Sequence, residues 1–564
     1  MKKNWLILNS VLLSVAVVFS SVVFFQLTNW DDNYLVTENA LVRSLSSANI
    51  RSIFQTPVLG TYVPLTVLSF ALEYQLVGYE PFLYHLDNLF LHLAVTALSF
   101  LLARRVGLSA VAAGIAAFIF GVHPLHVEAV AWVSARKDVL SAVFYLAAIV
   151  MYGSFLRTGK WRLYWAMVGL GTLSMLAKPM AVSLPAILFL LDWYNGRSWR
   201  RGIVDKLPLV VILGALATIT LFSSQKVLAP VGHVTGGAAV LALSWNVIFY
   251  LSRFLWPTDL SPVYELPAPV AVTNPVFFFS LLFGVGLLTV VCSRRLPKLW
   301  LFAVGFYLLS IWPVLRYGMI YDVGMVADRF MYLPSLGLCL AGGQALERFW
   351  LGTKSCSIRR SMSLAGIIVV AGILLAQTNR QIKIWRDGAT LWESVLQRQP
   401  FNVTANINLA DYLLKKGQAD ERVIALCQRV LQVDPDFAKA HTNLCSVYGQ
   451  RGRLGEAVVH GRRAVQLNPD DAVAQNNLGA ALLAQGQSAE AKQCLQRALD
   501  LGFSSAGVYL NLGIANLRLG DRVAAERVFE KAVAMDPSSA VARQFLQRTR
   551  EEKQSRPFLS ETVR

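Results

Sequence analysis

Residues 469–502 read PDDAVAQNNLGAALLAQGQSAEAKQCLQRALDLG, and this pattern recurs along the C-terminal third of the chain. An Asn-Leu pair returns at an interval of 34 residues, at Asn443-Leu444, Asn477-Leu478 and Asn511-Leu512. A glycine returns at the same interval, at Gly452, Gly486 and Gly520. Each unit is therefore predicted to form a helix, a glycine-containing turn and a second helix, closed by an Asp-Pro or Asn-Pro step.

A single helix pair of this kind cannot bury its apolar face alone, so successive pairs must stack into one continuous core. Four such units are predicted over residues 403–540. The period and the motif resemble the tetratricopeptide repeat (TPR), an α-solenoid. That resemblance implies a concave surface for a peptide or protein, and the alternative is a scaffold or oligomerisation module without cargo.

The residues before the repeats are dominated by long apolar runs separated by short polar loops. The 564-residue chain is 55% hydrophobic and 15% charged, whereas soluble domains carry about 25% charged residues. Runs of about 20 apolar residues span a bilayer as helices. Eleven spans are predicted, namely an uncleaved first helix ending near Leu27 and ten others at 86–103, 108–122, 139–156, 161–176, 180–194, 207–222, 275–292, 299–315, 330–346 and 363–377.

The predicted fold class is all-α, with a polytopic transmembrane part followed by a TPR solenoid. The predicted domains are a multi-span part at 1–380, a connecting helix or linker at 381–402, the solenoid at 403–540, and a helix end with tail at 541–564. The apolar stretch 241–256 is predicted to be re-entrant or interfacial, because it contains Arg253 and ends in Trp256-Pro257.

Basic residues gather in alternate loops, which is the pattern of the positive-inside rule. These loops contain Arg104-Arg105, Arg157 to Arg162, Arg197 to Lys206, Arg294 to Lys298 and Arg359-Arg360. Eleven spans then place the N-terminus in the cytoplasm and the repeats outside. The net charge of +18 is explained by these loops, so we predict a lipid bilayer and no nucleic acid as partner.

The opposite, outer loops contain the candidate catalytic residues. Asp31 and Asp32 directly follow the first span, and a carboxylate there can deprotonate an acceptor hydroxyl as a general base. The alternative interpretation is a solvated acidic loop flank. The long loop from Asp31 to His85 is predicted to form amphipathic helices on the membrane surface.

His123, His126 and Glu128 form a dense polar group in another outer loop. Such side chains can ligate a metal, but their spacing is not a specific metal signature. Hydrogen bonds to a sugar or a phosphate are the favoured interpretation. The competing interpretation gives both histidines a helix-capping and loop-packing role.

Four cations, Arg136, Lys137, Lys178 and Arg329, are predicted outside, against the positive-inside trend. A lipid phosphate is the natural partner for such charges at membrane level. The alternatives are ion pairs of Arg136 and Lys137 with Asp138 or Glu128, and of Arg329 with Asp328.

Together these segments resemble the transmembrane and TPR-containing O-mannosyltransferases and their bacterial relatives. The resemblance is carried by Asp31-Asp32, by 123–130 with 136–138, by Ala177-Lys178-Pro179 and by 327–335. It implies a GT-C-class glycosyltransferase that uses a polyprenyl-phosphate sugar donor on the outer face of a bacterial cytoplasmic membrane. It further implies that Asp31 or Asp32 is the catalytic base and that Arg136, Lys137, Lys178 and Arg329 hold the donor phosphate.

This chain departs from the family pattern at Lys178-Pro179, where animal members have Lys-Glu, and in its small number of repeats. The eukaryotic acceptor is therefore not assumed. The hypothesis is transfer of a sugar to a protein Ser or Thr hydroxyl, or to another acceptor, with an acceptor protein held by the repeats. No cofactor is assigned, although a divalent metal remains an open alternative. The rival hypotheses are a non-catalytic scaffold for surface-polysaccharide or export assembly and a flippase for lipid-linked sugars.

Overall fold

The computed structural model describes residues 2–224, 232–233, 235–293, 295–315, 319–320, 325–352 and 357–554. The chain divides into two compact units, Met1–Ser394 and Val395–Arg564. This division falls within the predicted linker at 381–402. The predicted loop residues Arg294 and 321–324, and the tail from 555 onward, lie outside the described residues.

The first unit is built almost entirely of helices. Its α-helices are α1 Lys2–Phe19, α2 Ser47–Gln55, α3 Pro64–Val77, α4 Pro81–Arg105, α5 Ala110–Val122, α6 Val127–Ala131, α7 Arg136–Thr158, α8 Trp161–Ala177, α9 Leu184–Tyr194, α10 Trp199–Ser224, α11 Gly236–Leu255, α12 Pro275–Cys292, α13 Lys298–Ile311, α14 Ser335–Gly352, α15 Ser357–Ile384 and α16 Gly388–Leu396. One antiparallel pair joins β1 Gly232–His233 to β2 Met319–Ile320.

Short 3₁₀ or π turns join several of these helices, at Ser20–Phe24, Asn33–Thr37, Ala40–Val42, Pro124–His126, Val133–Ala135, Pro179–Ser183, Trp312–Val314 and Asp328–Met331.

Seven helices of the described chain are long and apolar enough to cross a membrane, or eight if a bent pair counts as one span. Six of them coincide with predicted spans. The seventh is α11, which the sequence analysis predicts to be re-entrant or interfacial and which forms an unbroken helix of 20 residues. The bent pair joins α5 to Pro124–Ala131 at 52°. The predicted spans at 161–176, 180–194, 299–315 and 330–346 fall on helices that are too short or not apolar enough to be counted among these seven. The number of eleven spans therefore stays a prediction.

Three of the basic loops, near Arg104-Arg105, Arg157 to Arg162 and Arg197 to Lys206, share one end of the helix bundle. There the Tyr194 hydroxyl donates to the Val106 carbonyl at 2.7 Å, and Arg105 donates to the Val150 carbonyl at 2.8 Å. The Tyr164 hydroxyl reaches the Asp205 carbonyl at 3.0 Å. These contacts bring together the loops that the sequence analysis places on one side of the membrane.

The opposite end joins the start and the finish of the unit. The Gln26 N–H donates to the Arg386 carbonyl at 3.0 Å, and the Trp392 indole N–H donates to Asn29 Oδ1 at 2.9 Å. The end of α15 therefore lies beside the loop that carries Asp31 and Asp32. The chain leaves the first unit on the same side as these aspartates.

Glycines allow α14 to approach its neighbours closely. A Cβ at Gly337 would lie 2.3 Å from the Ala303 carbonyl oxygen, and one at Gly343 would lie 2.4 Å from that of Ala112. Real Cβ atoms do not come this close to a carbonyl oxygen, so both positions require glycine. This packing fixes α14 between α5 and α13 and places its first residue, Ser335, beside His126.

The first outer loop is folded into the unit. It forms α2 and α3, and α4 begins at Pro81, earlier than the predicted span at 86–103. The Thr66 hydroxyl of α3 donates to the Ala177 carbonyl at 3.0 Å, and Phe70 is fully buried. Helices form in this loop as predicted, but α3 packs against the bundle.

The second unit consists of helix pairs followed by a last helix. Its helices are α17 Val403–Lys415, α18 Glu421–Val433, α19 Ala438–Gln450, α20 Leu454–Leu467, α21 Ala472–Ala484, α22 Ser488–Asp500, α23 Ala506–Arg518, α24 Arg522–Met535 and α25 Ala540–Gln554. The periodic glycines end the first helix of each pair with a positive φ of 74° at Gly417, 73° at Gly452, 91° at Gly486 and 84° at Gly520. Only glycine adopts this region without a steric cost. The predicted all-α fold with a repeat solenoid is confirmed.

Candidate active site

The segment after α5 turns sharply because His123 and Pro124 begin a new helix. The His123 Nδ1 atom accepts the Leu125 N–H at 3.2 Å, which caps the turn Pro124–His126. Its Nε2 atom lies 3.0 Å from the Phe254 carbonyl at the end of α11. His126 lies 2.6 Å from the Phe120 carbonyl and 2.8 Å from the Ser335 hydroxyl. Both rings are buried and contact protein atoms, which matches the capping and packing interpretation of these histidines.

Glu128 and Arg329 form an ion pair between α6 and the turn Asp328–Met331. Glu128 Oε1 contacts the Arg329 guanidinium, and Oε2 accepts the Arg329 backbone N–H at 2.9 Å. Although burial lowers the pKa of Arg329, the adjacent Glu128 charge outweighs it and holds that pKa above the usual range. Glu128 therefore fixes both the backbone and the side chain of Arg329.

Asp328 does not pair with Arg329, contrary to one alternative from the sequence. Its Oδ1 atom accepts the Tyr264 hydroxyl at 2.8 Å, and the side chain is buried. Burial, with Glu128 nearby, raises the pKa of Asp328 well above its usual range. Adjacent positions in the chain thus face different partners.

Lys178 pairs with Asp138 at the start of α7. Burial lowers the pKa of Lys178, although the Asp138 carboxylate opposes that shift. The second carboxylate oxygen of Asp138 is buried without a partner among the described residues. It adjoins a cavity of about 10 Å³ lined by Ser141 and Tyr332, close to the size that holds one water molecule.

Arg136 lies outside this group. Its guanidinium donates to Glu73 at 2.8 Å and to the Tyr84 carbonyl at 2.7 Å, and it also contacts Asn88. Its side chain is 2% exposed. The structure therefore places Arg136 in a buried ion pair between α3, α4 and α7.

The two adjacent aspartates have different surroundings. Asp32 is 1% exposed, and its Oδ2 atom accepts the Thr28 N–H at 2.8 Å and the Thr28 hydroxyl at 2.9 Å. Its Oδ1 atom accepts the N–H and hydroxyl of Ser134 at 2.9 and 2.5 Å. Burial raises the pKa of Asp32, and these four hydrogen bonds oppose the shift. Asp31 is 25% exposed and lies 3.8 Å from Lys137 Nζ.

Four tryptophans, which the sequence analysis does not single out, form an aromatic cluster beside Asp31. The Trp30 ring stacks on Trp132 at 4.9 Å and lies 5.2 Å from Trp392 and 6.3 Å from Trp385. The Arg329 guanidinium lies over both Trp30 and Trp132, at 5.6 and 5.2 Å. Their proximity in sequence to Asp31 and Glu128 is the only signal that could have marked Trp30 and Trp132.

The structure thus brings Asp31, Glu128, Lys137, Lys178 and Arg329 to one place. The described residues contain no group of three His, Cys, Asp or Glu side chains arranged to hold a metal. What they present is one accessible carboxylate beside three cations and an aromatic surface. Such a group can take a proton from a hydroxyl and attract an anion.

Family models identify the repeats of the chain. Two family models described as tetratricopeptide repeat match residues 436–502 and residues 385–436 and 476–540. The second match begins at 385, within the predicted linker. Among solved structures, a thermophilic TPR protein of Thermus thermophilus is 20% identical, with 29% of this chain and 89% of that chain covered and a TM-score of 0.25.

Several curated relatives have the same kind of name. Protein O-mannosyl-transferase TMTC3 of Homo sapiens is 25% identical over 463 residues, which cover 73% of this chain and 50% of that one. Tmtc1 of Drosophila melanogaster is 26% identical over 74% of this chain and 60% of its own length. Human TMTC4 is 25% identical, over 63% and 56% respectively. The chain spans about half the length of these relatives. It is a TPR-containing membrane protein related to the TMTC-type protein O-mannosyl-transferases.

Proposed function

We propose that this chain is a membrane glycosyltransferase that moves a sugar from a polyprenyl-phosphate donor to a Ser or Thr hydroxyl of an acceptor protein, on the extracytoplasmic face. The names of the relatives support sugar transfer to protein and make mannose the first sugar to test. The observation that carries the proposal is the accessible Asp31 carboxylate beside Lys137, Lys178 and Arg329.

Asp31 is the base in this scheme. A general base must reach the acceptor proton, and the Asp31 side chain is 25% exposed, whereas both oxygens of Asp32 are already hydrogen-bonded inside the protein. Asp32 instead holds the backbone that carries Asp31. The geometry therefore favours one member of a pair that the sequence leaves undecided.

At the anomeric carbon, the reaction forms one bond and breaks one bond. The acceptor oxygen attacks the anomeric carbon while Asp31 takes the hydroxyl proton. The bond between that carbon and the phosphate oxygen breaks, and the polyprenyl phosphate leaves with the electron pair. The charge that develops on the phosphate is stabilised by fixed cations, which cost no reorganisation during the reaction.

Lys137 and Arg329 are the cations best placed for this task. Glu128 engages one side of the Arg329 guanidinium, and the remaining side-chain N–H groups have no hydrogen-bond partner among the described residues. Lys137 is 19% exposed and touches Asp31 only at 3.8 Å. Lys178 is more enclosed and contributes through its charge. Arg136 is left out of the donor site because Glu73 neutralises it.

The repeats would act on the acceptor. Because the chain leaves the first unit beside Trp30, an acceptor bound by the repeats would be tethered to the protein that carries the site. Tethering raises the effective concentration of a substrate without adding contacts at the reacting atoms.

The test is sugar transfer by the purified full-length chain in lipid, using labelled polyprenyl-phosphate sugars and Ser/Thr-rich acceptor peptides. The wild type is expected to transfer at least one sugar, and Asp31→Asn is expected to lose roughly 10²–10⁴-fold in rate. Glu38→Gln, in the same loop, is the matched control. Wild-type turnover that Asp31→Asn leaves unchanged, or no turnover with any donor, would contradict the proposal and favour a scaffold.

The extracytoplasmic placement has its own test. Single cysteines placed at Glu38 and on the repeats should react with a membrane-impermeant thiol reagent added from outside intact cells. A cysteine placed at Lys160 should react only after the cells are broken. Labelling of the Lys160 position in intact cells would reverse the assignment.

A further inference from the structure

A large apolar cavity lies between α9, α10 and α13, away from Asp31. Its volume is about 640 Å³. Its lining on α9 and α10 includes Ala186, Phe189, Trp193, Ile203, Leu207 and Val210. Because α10 is one of the candidate membrane spans, we expect the cavity to open on bilayer hydrocarbon. An acyl chain is the chemistry that fits such a wall.

Lys206 is the charged residue among the described residues of the wall, and its charge is already paired with a carboxylate. The Lys206 ammonium pairs with Asp192 and also donates to the Tyr152 hydroxyl at 2.7 Å and the Gly202 carbonyl at 3.1 Å. Because its side chain is 2% exposed, no anionic group of a ligand can reach it. The cavity itself therefore suits a neutral hydrocarbon chain. Any anionic group on the ligand must be met at the rim.

Two exposed cations flank one end of this cavity. Lys298, at the start of α13, places its ammonium 5.8 Å from the ring of Trp193, which lines the cavity. On α10, lining positions 203, 207 and 210 share one helix face, and the same face one turn earlier contains Arg200. The Arg200 guanidinium lies over the exposed Trp199 ring at 5.5 Å.

The rim therefore combines two cations with two exposed tryptophans. Trp193 and Trp199 are 46% and 63% exposed, and tryptophan favours the headgroup level of a membrane. Basic residues between membrane helices attract anionic headgroups. The rim lies at the end of the bundle with the basic loops, opposite to the end that carries Asp31, so it is separate from the candidate active site.

We propose that this cavity binds an anionic glycerophospholipid, with an acyl chain between α9, α10 and α13 and the headgroup phosphate between Arg200 and Lys298. The occupant is a structural lipid of the leaflet on the basic-loop side. This inference does not depend on the proposed transferase activity.

The test uses the purified full-length chain, delipidated in neutral detergent, with binding measured by native mass spectrometry and by the shift in Tm. Phosphatidylglycerol and phosphatidylcholine with identical acyl chains are the probes. The wild type is expected to bind phosphatidylglycerol more tightly. The double variant Arg200→Gln/Lys298→Gln should lose roughly tenfold or more of that preference, since each basic residue near a headgroup contributes about a fivefold factor.

Two further variants separate the cavity from its rim. Ala186→Trp fills the cavity and should weaken binding of both lipids. Arg157→Gln/Lys160→Gln removes two exposed charges from the same end of the bundle and should leave the preference unchanged. Size-exclusion chromatography confirms that each variant is folded.

Equal binding of the two lipids by the wild type would overturn the proposal, as would a preference that survives in Arg200→Gln/Lys298→Gln. Displacement of phosphatidylglycerol by a polyprenyl phosphate, with the same dependence on Arg200 and Lys298, would also overturn it by making the cavity a donor site.

Discussion

Ser134 donates both its backbone N–H and its hydroxyl to one oxygen of Asp32, although 102 residues separate the two in the chain. This contact fastens the loop after α1 to the turn that precedes α7. Asp31 is the residue before Asp32, and Lys137 is three residues after Ser134. The relative position of the candidate base and the nearest cation therefore depends on a carboxylate that takes no part in the proposed chemistry.

Asp32→Asn should destabilise the fold. The carboxamide offers one oxygen where four donors now converge, so at least two of the Thr28 and Ser134 groups lose their acceptor. Each buried donor left unpaired costs about 1–3 kcal/mol. The measurement is Tm in detergent, with Asp31→Asn as the control that should keep the wild-type Tm. A variant with unchanged Tm that lacks activity would instead assign the base to Asp32.

Arg329→Lys should impair donor binding. Lysine keeps the charge but cannot hold Glu128 on one side and present further N–H groups to a phosphate on the other. We expect KM for the donor to rise about tenfold or more, because charge-assisted hydrogen bonds contribute about 1.5–3 kcal/mol. Initial rates over a range of donor concentrations give KM and kcat separately. Arg43→Lys, in the first outer loop, is the control, and an unchanged KM for Arg329→Lys would exclude Arg329 from the donor site.

Arg136→Gln should act on stability and spare KM. Removal of the guanidinium leaves Glu73 buried without its charge partner, which costs about 3–5 kcal/mol. The double variant Arg136→Gln/Glu73→Gln should recover part of the loss in Tm, as a double-mutant cycle would show. A raised donor KM in folded Arg136→Gln would restore Arg136 to the donor site, as the sequence analysis predicts.

Asp328 should make stability depend on pH. Burial raises the pKa of Asp328 above its usual value of about 3.9, so the folded state favours the protonated form. The stabilisation is full below the unfolded pKa and is lost as pH rises through the folded pKa. Relative to Asp328→Asn, the wild type should thus lose Tm as the pH rises from about 4 upward. A difference in Tm that does not change over this range would contradict the raised pKa.

Gly513→Ala should destabilise the repeats. The added Cβ would lie 2.3 Å from the Phe529 ring, between the two helices of the last pair. Overpacking of this kind costs about 1–3 kcal/mol. Gly507→Ala, on the same helix, is the matched control because its Cβ would meet only the Ser505 hydroxyl oxygen at 3.8 Å. Equal melting temperatures of the two variants would show that the pair adjusts to the extra methyl group.

The sequence alone determined the helical architecture of both units, because the information is local. Glycines 34 residues apart predict where each repeat turns, since only glycine takes the left-handed conformation there without cost. Apolar runs likewise predict most of the helices of the first unit. The sequence also identified most of the residues that gather at the candidate site, namely Asp31, Glu128, Lys137, Lys178 and Arg329.

Only the tertiary structure decided what each of those residues does. Arg136 and Lys137 are neighbours in the chain, yet one is neutralised by Glu73 and the other reaches Asp31. Asp31 is partly exposed, whereas its neighbour Asp32 is hydrogen-bonded inside the protein. Asp328 and Arg329 likewise contact different partners, Tyr264 and Glu128. The energy of a buried charge depends on partners far away in the chain, which no local pattern records, whereas helix periodicity arises from hydrogen bonds between residues four positions apart.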